Sequence, residues 1–465
     1  FEISYDNFSR TSKKIHHELV KEFFLKLYKN GYITEKEIKI AYCTSCKRGL
    51  ADRYITGRCP HCEYEQAKGD QCEKCATLIN PIELIEPYCS VCKSKKIEFR
   101  DTKHLFLDLR KLAKKIEKWN KDNKNLRMQV KNLALGWLKQ GLKERCITRD
   151  LSWGVQVPLK GYEDKVFYVW FDNVIGYISS TVELLGKEGH QLWKNKKVKT
   201  YYFIGKDNIP FHTIFWPGQI MAEGSYVLPY NVVGLQYLNF EGQKFSKSKS
   251  IGIFSDQVIK SGVPLDYWRF YLNSVLPETK DSDFSLQDFI DRINKELIGN
   301  FGNFFHRTLD FTWKKFDGKL AEIKTVDKRL EKEISEKIKK VEELYESCNL
   351  REALTTILHL SDLGNQYFNN KEPWKTKDQD ALNYCYEMAR IISLLLTPII
   401  PNSVEKAFKI LNTKDKKLKI NRAKKTIKEP KILFKKLEEK DLELFQQKQF
   451  PIQIKVGKII GVKNH

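Results

Sequence analysis

Apolar positions along this chain change period several times, and each change predicts a different architecture. Residues 12–30 repeat apolar side chains three and four apart, at Ile15, Leu19, Val20, Phe23, Phe24 and Leu27. That spacing predicts a helix capped by Ser12 and stopped by Gly31. A short polar stretch, poor in large aliphatics, follows at about 41–100, and residues 104–148 then read as helical and basic. Three continuous apolar runs come next: "KVFYVWF" (165–171), "TYYFIG" (200–205) and "YNVVG" (230–234). Such runs are the pattern of strands buried on both faces. A polar turn at "KDNIP" and an apolar helix through "FHTIFWPGQIMAEG" separate the second run from the third. Strand, turn, helix, strand predicts a parallel α/β unit, whose ligands gather beyond the carboxyl ends of the strands. "GKD" (205–207) stands at such an end. From about 286 the period is helical, and "VDKRLEKEISEKIKKVEELYES", "LREALTTILHLSDLGNQYF" and their neighbours predict a bundle of about five helices.

Composition adds partners to this picture. At 465 residues the chain should hold about three domains. A hydrophobic fraction of 41% fits folded cores, and a formal net charge of +23 points to a polyanion such as nucleic acid. Residues 411–440 carry twelve Lys/Arg against four Asp/Glu, a basic stripe or tail. No apolar run approaches the roughly 18 residues of a membrane span, so no membrane partner is expected and the cytoplasm is the expected compartment. Both ends read as cut. "FEISYDNF" has the texture of mid-domain sequence, and "FPIQIKVGKIIGVKNH" reads as a strand that stops before a partner strand.

Eight of the eleven cysteines form four Cys-x-x-Cys pairs: Cys43/Cys46, Cys59/Cys62, Cys72/Cys75 and Cys89/Cys92. Two such pairs complete a tetrahedral site of four sulfurs, so four pairs imply two structural Zn²⁺ ions with no open coordination position. The surrounding sequence lacks a core of its own, and metal would replace it. Spacing leaves the pairing open between sequential and nested. Cys146, Cys348 and Cys385 are isolated and read as packing residues.

One loop, "EGQKFSKSKS" (241–250), gathers three lysines among serines. Its "KFSKS" (244–248) resembles the KMSKS signature of class I aminoacyl-tRNA synthetases, with Phe245 where Met is usual. "YVWFDNVIGY" (168–177), "FIGKDNIPFHTIFWP" (203–217) and "LGNQYFNNKEPW" (363–374) are similar to methionyl-tRNA synthetases of the archaeal and eukaryotic type, as are the cysteine pairs. The implied fold is α/β plus all-α: a partial Rossmann-type parallel sheet with a zinc-knuckle insertion, then a helix-bundle anticodon-binding domain. The implied domains are 1–164, a connective region with two knuckles; 165–240, the second half of the catalytic domain; 241–290, the lysine loop and stem-contact region; 291–437, the anticodon-binding domain; and 438–465, a linker and the start of a tRNA-binding OB-type domain. In that last segment Lys455 stands where Arg is usual.

The resemblance implies ATP-dependent activation of L-methionine and transfer to tRNA(Met), with ATP entering as its Mg²⁺ complex. Lys244 and Lys247 would neutralise the leaving pyrophosphate, with Lys249 peripheral. Gly205, Asp207 and Lys247 would hold ATP. Trp170, Tyr177, Asn208, His212 and Trp216 would form the methionine pocket, although Asn173 and Val174 replace the family's Ala-Pro on its floor. Asn303, Arg307 and Trp374 would read the anticodon, and nested ligation would pair Cys59/Cys62 with Cys72/Cys75 and Cys43/Cys46 with Cys89/Cys92. The family's other ATP motif, His-x-Gly-His, does not occur in these residues; "IHHE" (15–18) lacks the glycine. A separately encoded N-terminal half is therefore an implied partner. Two alternatives stand beside this reading: a non-catalytic tRNA-binding protein, and a class I synthetase of another specificity.

Overall fold

The computed structural model describes residues 1–50, 54–69, 72, 74–75, 77, 79–247 and 250–446. Two compact units form, one of residues 4–234 and one of residues 1–3 with residues from 235 onward.

In the first unit, helix Lys14–Lys29 buries Leu19, Val20, Phe23, Phe24 and Leu27 as the spacing predicts. Its start differs. Lys13 holds the N-cap position without a side-chain hydrogen bond, which leaves Ser12 one residue too early to cap. Gly31, at φ 77°, ends the helix in a conformation that costs glycine little. Strands Ile33–Cys43 and Ile97–Leu107 then pair antiparallel without a break, from Ile33↔Leu107 to Cys43↔Ile97. Arg48–Leu50 and Arg145–Cys146 extend them to a four-stranded sheet. The helix expected at 104–148 is therefore corrected: residues 104–107 end a strand, and only Ala113–Asp122 and Met128–Lys139 are α-helical. Pairing with residues some seventy positions earlier overrides the local pattern there.

"KVFYVWF" is corrected too. Only Val166–Phe167 is strand, and the chain turns helical at Val169–Asp172 and again at Gly176–Leu185. Phe171, Val174, Ile175, Ile178 and Val182 are buried at spacings of three and four, so the run is the start of a helical face. Tyr201–Gly205 and Asn231–Leu235 are neighbouring strands, joined through a turn, a π-helical segment Phe211–Phe215 and helix Trp216–Glu223. Asn231 to Gly234 are buried, whereas Phe203 is 57% exposed, so only the later run is covered on both faces. A Cβ on Gly234 would meet Ile209 at 2.7 Å, and glycine permits that close strand–helix packing.

In the second unit, Leu238–Phe240 pairs parallel with Ser282–Phe284 and antiparallel with Gln243–Lys244. A continuous helical rod follows: Leu286–Arg292, the π-helical Ile293–Gly302, and Asn303–Phe316. Helices Lys328–Glu346, Leu350–Lys371, Gln379–Leu395 and Pro401–Leu411 complete the bundle around one hydrophobic core. Glu387 and Arg390 form a buried pair at 2.7 Å, and Arg390 also donates to the carbonyls of Lys417 at 2.8 Å and Lys419 at 2.7 Å. Lys425 Nζ lies 3.3 Å from Glu387. These bonds, with buried Ile427, Phe434 and Leu437, pin down the basic 411–440 segment; it is a packed strap rather than a tail. No described helix is long and apolar enough to cross a membrane. Ser248, Lys249 and the strand expected at 452–460, Lys455 included, lie outside the described residues.

Candidate functional site

In the first unit, the helical turn at Val169–Asp172 presents Trp170, which stacks on Phe211 with ring centroids 4.3 Å apart and planes 17° from parallel. One turn into the next helix, Tyr177 Oη lies 2.8 Å from His212 Nε2, and His212 Nδ1 lies 2.9 Å from the Asn208 carbonyl. The carbonyl only accepts, so Nδ1 carries the proton. Burial pulls the His212 pKa below its ordinary value, so the ring is neutral and Nε2 accepts from the Tyr177 hydroxyl. Burial raises the Tyr177 pKa, which keeps that hydroxyl protonated. The pair therefore commits both of its protons internally. Trp216 is fully buried, and its indole N–H donates to Tyr202 Oη at 2.9 Å. It backs the aromatic cluster from within the core. Tyr202 and Phe211 were absent from the sequence-derived pocket; both sit inside the quoted motifs and look there like ordinary strand and helix residues. Val174 is buried, and Asn173 Oδ1 is buried without a hydrogen-bond partner among the described residues. Trp170 also faces a cavity of about 640 Å³ whose walls include Trp153, Tyr168, Arg149 and Asp172.

Gly205 ends its strand in ordinary extended backbone, at φ −77°. A Cβ there would meet nothing within 4 Å, so the glycine leaves open space at the strand's carboxyl end. Asp207 is exposed in the short turn that follows.

In the second unit, the lysine loop is a tight hairpin. Ser246 and Ile251 exchange two backbone hydrogen bonds at 2.9 Å, and the Ser250 N–H reaches the Lys247 carbonyl at 3.2 Å. Lys247 is exposed at its tip. Lys244 Nζ sits 4.5 Å from the centroid of the Tyr237 ring. Phe245 packs on Phe240 at 5.8 Å and covers Gly252, whose φ of 130° and missing side chain make room for it.

The sulfurs gather as two groups of four, Cys43, Cys46, Cys89 and Cys92, and Cys59, Cys62, Cys72 and Cys75, each within 4.8 Å. This is the nested arrangement, and the strand register explains it. Pairing Cys43 with Ile97 carries residues 44–46 back against 89–96, as the Thr44 to Lys96 backbone bond at 3.2 Å shows. Nearest sulfur pairs stand 3.6 to 3.8 Å apart. A tetrahedron with metal–sulfur bonds of about 2.3 Å has edges of about 3.8 Å, so the donor sets fit a Zn²⁺ ion each.

A further cluster lies on the bundle. Arg307 and Asn303 share one helix face, a turn apart, with Asn303 exposed. The Arg307 guanidinium lies 4.1 Å from the Phe368 centroid and donates to Asn369 Oδ1 at 2.5 Å, while its Nε is buried without a hydrogen bond. Trp374, 45% exposed, sits 5.6 Å from the same Phe368 ring. Phe368 and Asn369, which bring the other two together, were missed because a helical pattern marks one as core and the other as surface.

Comparison with known proteins identifies the family of the chain. A family model described as tRNA synthetases class I (M) matches residues 1–309, and one described as the anticodon-binding domain of tRNA ligase matches residues 327–462. The methionine–tRNA ligase of Methanopyrus kandleri is 41% identical over 460 residues, covering 95% of this chain and 68% of that protein. That of Borrelia garinii subsp. bavariensis is 43% identical over 464 residues, covering 95% and 63%. The chain thus spans about two thirds of the length of these curated relatives. A solved Mycobacterium tuberculosis methionyl-tRNA synthetase in complex with methionyl-adenylate shares the fold, with TM-score 0.73 at 22% identity, covering 93% of this chain and 83% of that one. With a family model matching well over half of its residues and relatives this similar along nearly all of them, the chain belongs to the methionyl-tRNA synthetases, enzymes of class I.

Proposed function

We propose that this chain acts in methionine–tRNA ligation, activating L-methionine with ATP and passing it to tRNA(Met) in the cytoplasm. The Tyr177–His212–Asn208 relay carries the reading. Because the relay commits both of its protons, it offers aromatic faces and a hydroxyl lone pair and no donor of its own. A thioether needs no donor and gains from sulfur–ring contacts. A side chain that must accept strong hydrogen bonds would be left unpaired.

In the first step a carboxylate oxygen of methionine attacks the α-phosphorus of ATP. The bond to the bridging oxygen breaks, and pyrophosphate leaves with the electron pair and its charge. Such chemistry asks a protein mainly for position and for charge stabilisation. Lys244 and Lys247 supply cations for the departing diphosphate, and the open strand end at Gly205 with Asp207 receives the nucleoside. In the second step a ribose hydroxyl of the tRNA end attacks the methionyl carbonyl and AMP leaves. Arg307 and Trp374, gathered on Phe368, and Asn303 a turn before Arg307 hold unstacked anticodon bases by edge contacts and stacking. Zn²⁺ in the two cysteine groups would give the connective region the rigidity its small apolar core lacks.

Methionine-dependent exchange of pyrophosphate into ATP tests the proposal. Since these residues contain no His-x-Gly-His, the assay includes the chain alone and the chain with a polypeptide carrying that motif, in trans or fused. Exchange that requires methionine in either setting supports the reading. Absence of exchange in both, with tRNA binding retained, would leave a tRNA-binding protein instead.

A further inference from the structure

The stretch "IHHE" (15–18) supplies no nucleotide motif, yet its first histidine is built into the core. His16 is 1% exposed, on the helix Lys14–Lys29 whose apolar face packs into the first unit. Its Nδ1 lies 3.0 Å from Ser179 Oγ and its Nε2 3.5 Å from Asp172 Oδ2. The Ser179 hydroxyl spends its hydrogen on the Gly176 carbonyl at 3.2 Å, so its oxygen accepts from His16 and Nδ1 carries a proton. Asp172 is buried, and its Oδ1 has no hydrogen-bond partner among the described residues, which leaves the carboxylate to lean on His16. Between these two contacts the backbone changes type twice, from α-helix at Val169–Asp172 through a 3₁₀ turn at Asn173–Ile175 to α-helix at Gly176–Leu185. At such a change one hydrogen-bond ladder gives way to another. A Cβ on Gly176 would lie 3.9 Å from His16 Cε1, so the ring spans the joint. Gln219 grips the earlier piece through the Phe171 carbonyl at 3.4 Å, and Asn7 the later one through the Ser180 carbonyl at 2.8 Å. His16 reaches both.

We infer that His16 is a positioning residue for the aromatic site, clasping the two helical pieces so that Trp170 and Tyr177 keep a fixed separation. Trp170 precedes Asp172 by two residues, and Tyr177 precedes Ser179 by two. Residues two apart on a helix do not share a face, so the clasp grips each piece away from the ring that piece presents. The partners of both rings lie together on the following helical segment: Trp170 stacks on Phe211, and Tyr177 Oη lies 2.8 Å from His212 Nε2. With the clasp open, the two pieces turn against each other and both contacts cannot be kept at once. A hydrogen bond weakens steeply as it loses alignment, so the Tyr177–His212 bond reports the loss first. The use of this clasp rests on the proposed methionine pocket, whereas its geometry does not.

Two variants each cut one arm of the clasp. Ser179→Ala removes the acceptor for Nδ1, and His16→Asn keeps a donor toward Ser179 but is too short to reach Asp172. The full chain is prepared with ¹⁵N-labelled histidine, and the His212 ring nitrogens, assigned by their loss in His212→Gln, are followed by NMR. In the wild type His212 Nδ1 should carry the proton, and Nε2 should show the shift of a nitrogen that accepts a hydrogen bond. Each one-arm variant should move Nε2 toward the shift of a free acceptor. In methionine-dependent pyrophosphate exchange, with the His-x-Gly-His polypeptide present, each should raise the methionine KM about 5-fold or more and leave kcat within about 2-fold. In a Tyr177→Phe background the same changes should add less than about 2-fold, because the bond they act through is already gone. An unchanged His212 spectrum in a variant that still melts cooperatively overturns the inference. So does an unchanged KM in an exchanging enzyme whose spectrum has moved. If His16→Asn fails to fold, Ser179→Ala decides by the same signal. If the wild type shows no exchange, the proposed function falls, while the spectrum still decides for or against the clasp.

Discussion

Replacing Arg307 by alanine tests the anticodon reading at its most constrained residue. The side chain is already committed to a place, with its plane against Phe368 at 4.1 Å and one nitrogen on Asn369 at 2.5 Å. With Nε buried, that leaves Nη1 and the second hydrogen of Nη2 to meet a base edge. A two-point contact of this kind discriminates by about 1–3 kcal/mol, or about 5- to 150-fold in affinity. Trp374→Ala removes a stacking surface worth about 1–3 kcal/mol. Because both residues lean on Phe368, their losses should not simply add, and a double-mutant cycle should show a coupling of at least about 0.5 kcal/mol. The assay is fluorescence anisotropy on a labelled anticodon stem-loop bearing the methionine anticodon, beside the same hairpin with abasic anticodon positions. Arg307→Ala should weaken the first several-fold and the second little, leaving the salt slope unchanged. Equal loss on both hairpins, with a slope reduced by about one, would mean a phosphate contact and refute base reading.

Four further outcomes follow from the geometry. Tyr177→Phe leaves the buried His212 Nε2 without its donor at a cost of about 1–3 kcal/mol, so the methionine KM in pyrophosphate exchange should rise at least about 5-fold. Lys247→Ala should lower the exchange rate constant while methionine affinity, read by equilibrium dialysis, stays within about 2-fold. Asn173→Ala removes an unpaired buried oxygen and should be neutral or stabilising by thermal melt, with amino-acid selectivity as the property that shifts. Glu387→Gln strands the Arg390 charge in the core and should cost the helical unit about 3–5 kcal/mol in urea unfolding.

What could be read from the residues follows the range of the forces involved. The helical bundle was legible because Leu330, Ile334, Ile338 and Val341 repeat within one element, and periodicity is local. The cysteine pairs were legible for the same reason. "KVFYVWF" misled because a run of bulky side chains has no visible period until Val174, Ile175 and Ile178 extend it. The strand at residues 104–107 was hidden because its partner lies at 33–36, and only long-range pairing outbids a basic, helix-prone context. Trp216 was visible as aromatic, yet its hydrogen bond to Tyr202 belongs to tertiary structure. The strap at 411–440 looked like a tail because charge was counted without its partners; Arg390, Glu387 and Glu331 supply them.

The pair of eleven-residue strands has a mechanical consequence. Eleven residues at about 3.4 Å each make a ribbon of about 35 Å, with Ile33 and Leu107 seated in the aromatic core at one end and Cys43 beside a sulfur tetrad at the other. The ion held by Cys43, Cys46, Cys89 and Cys92 would then ride at the tip of a mast. Stripping it should slacken the tip of the mast, while the end seated on Ile33 and Leu107 stays packed.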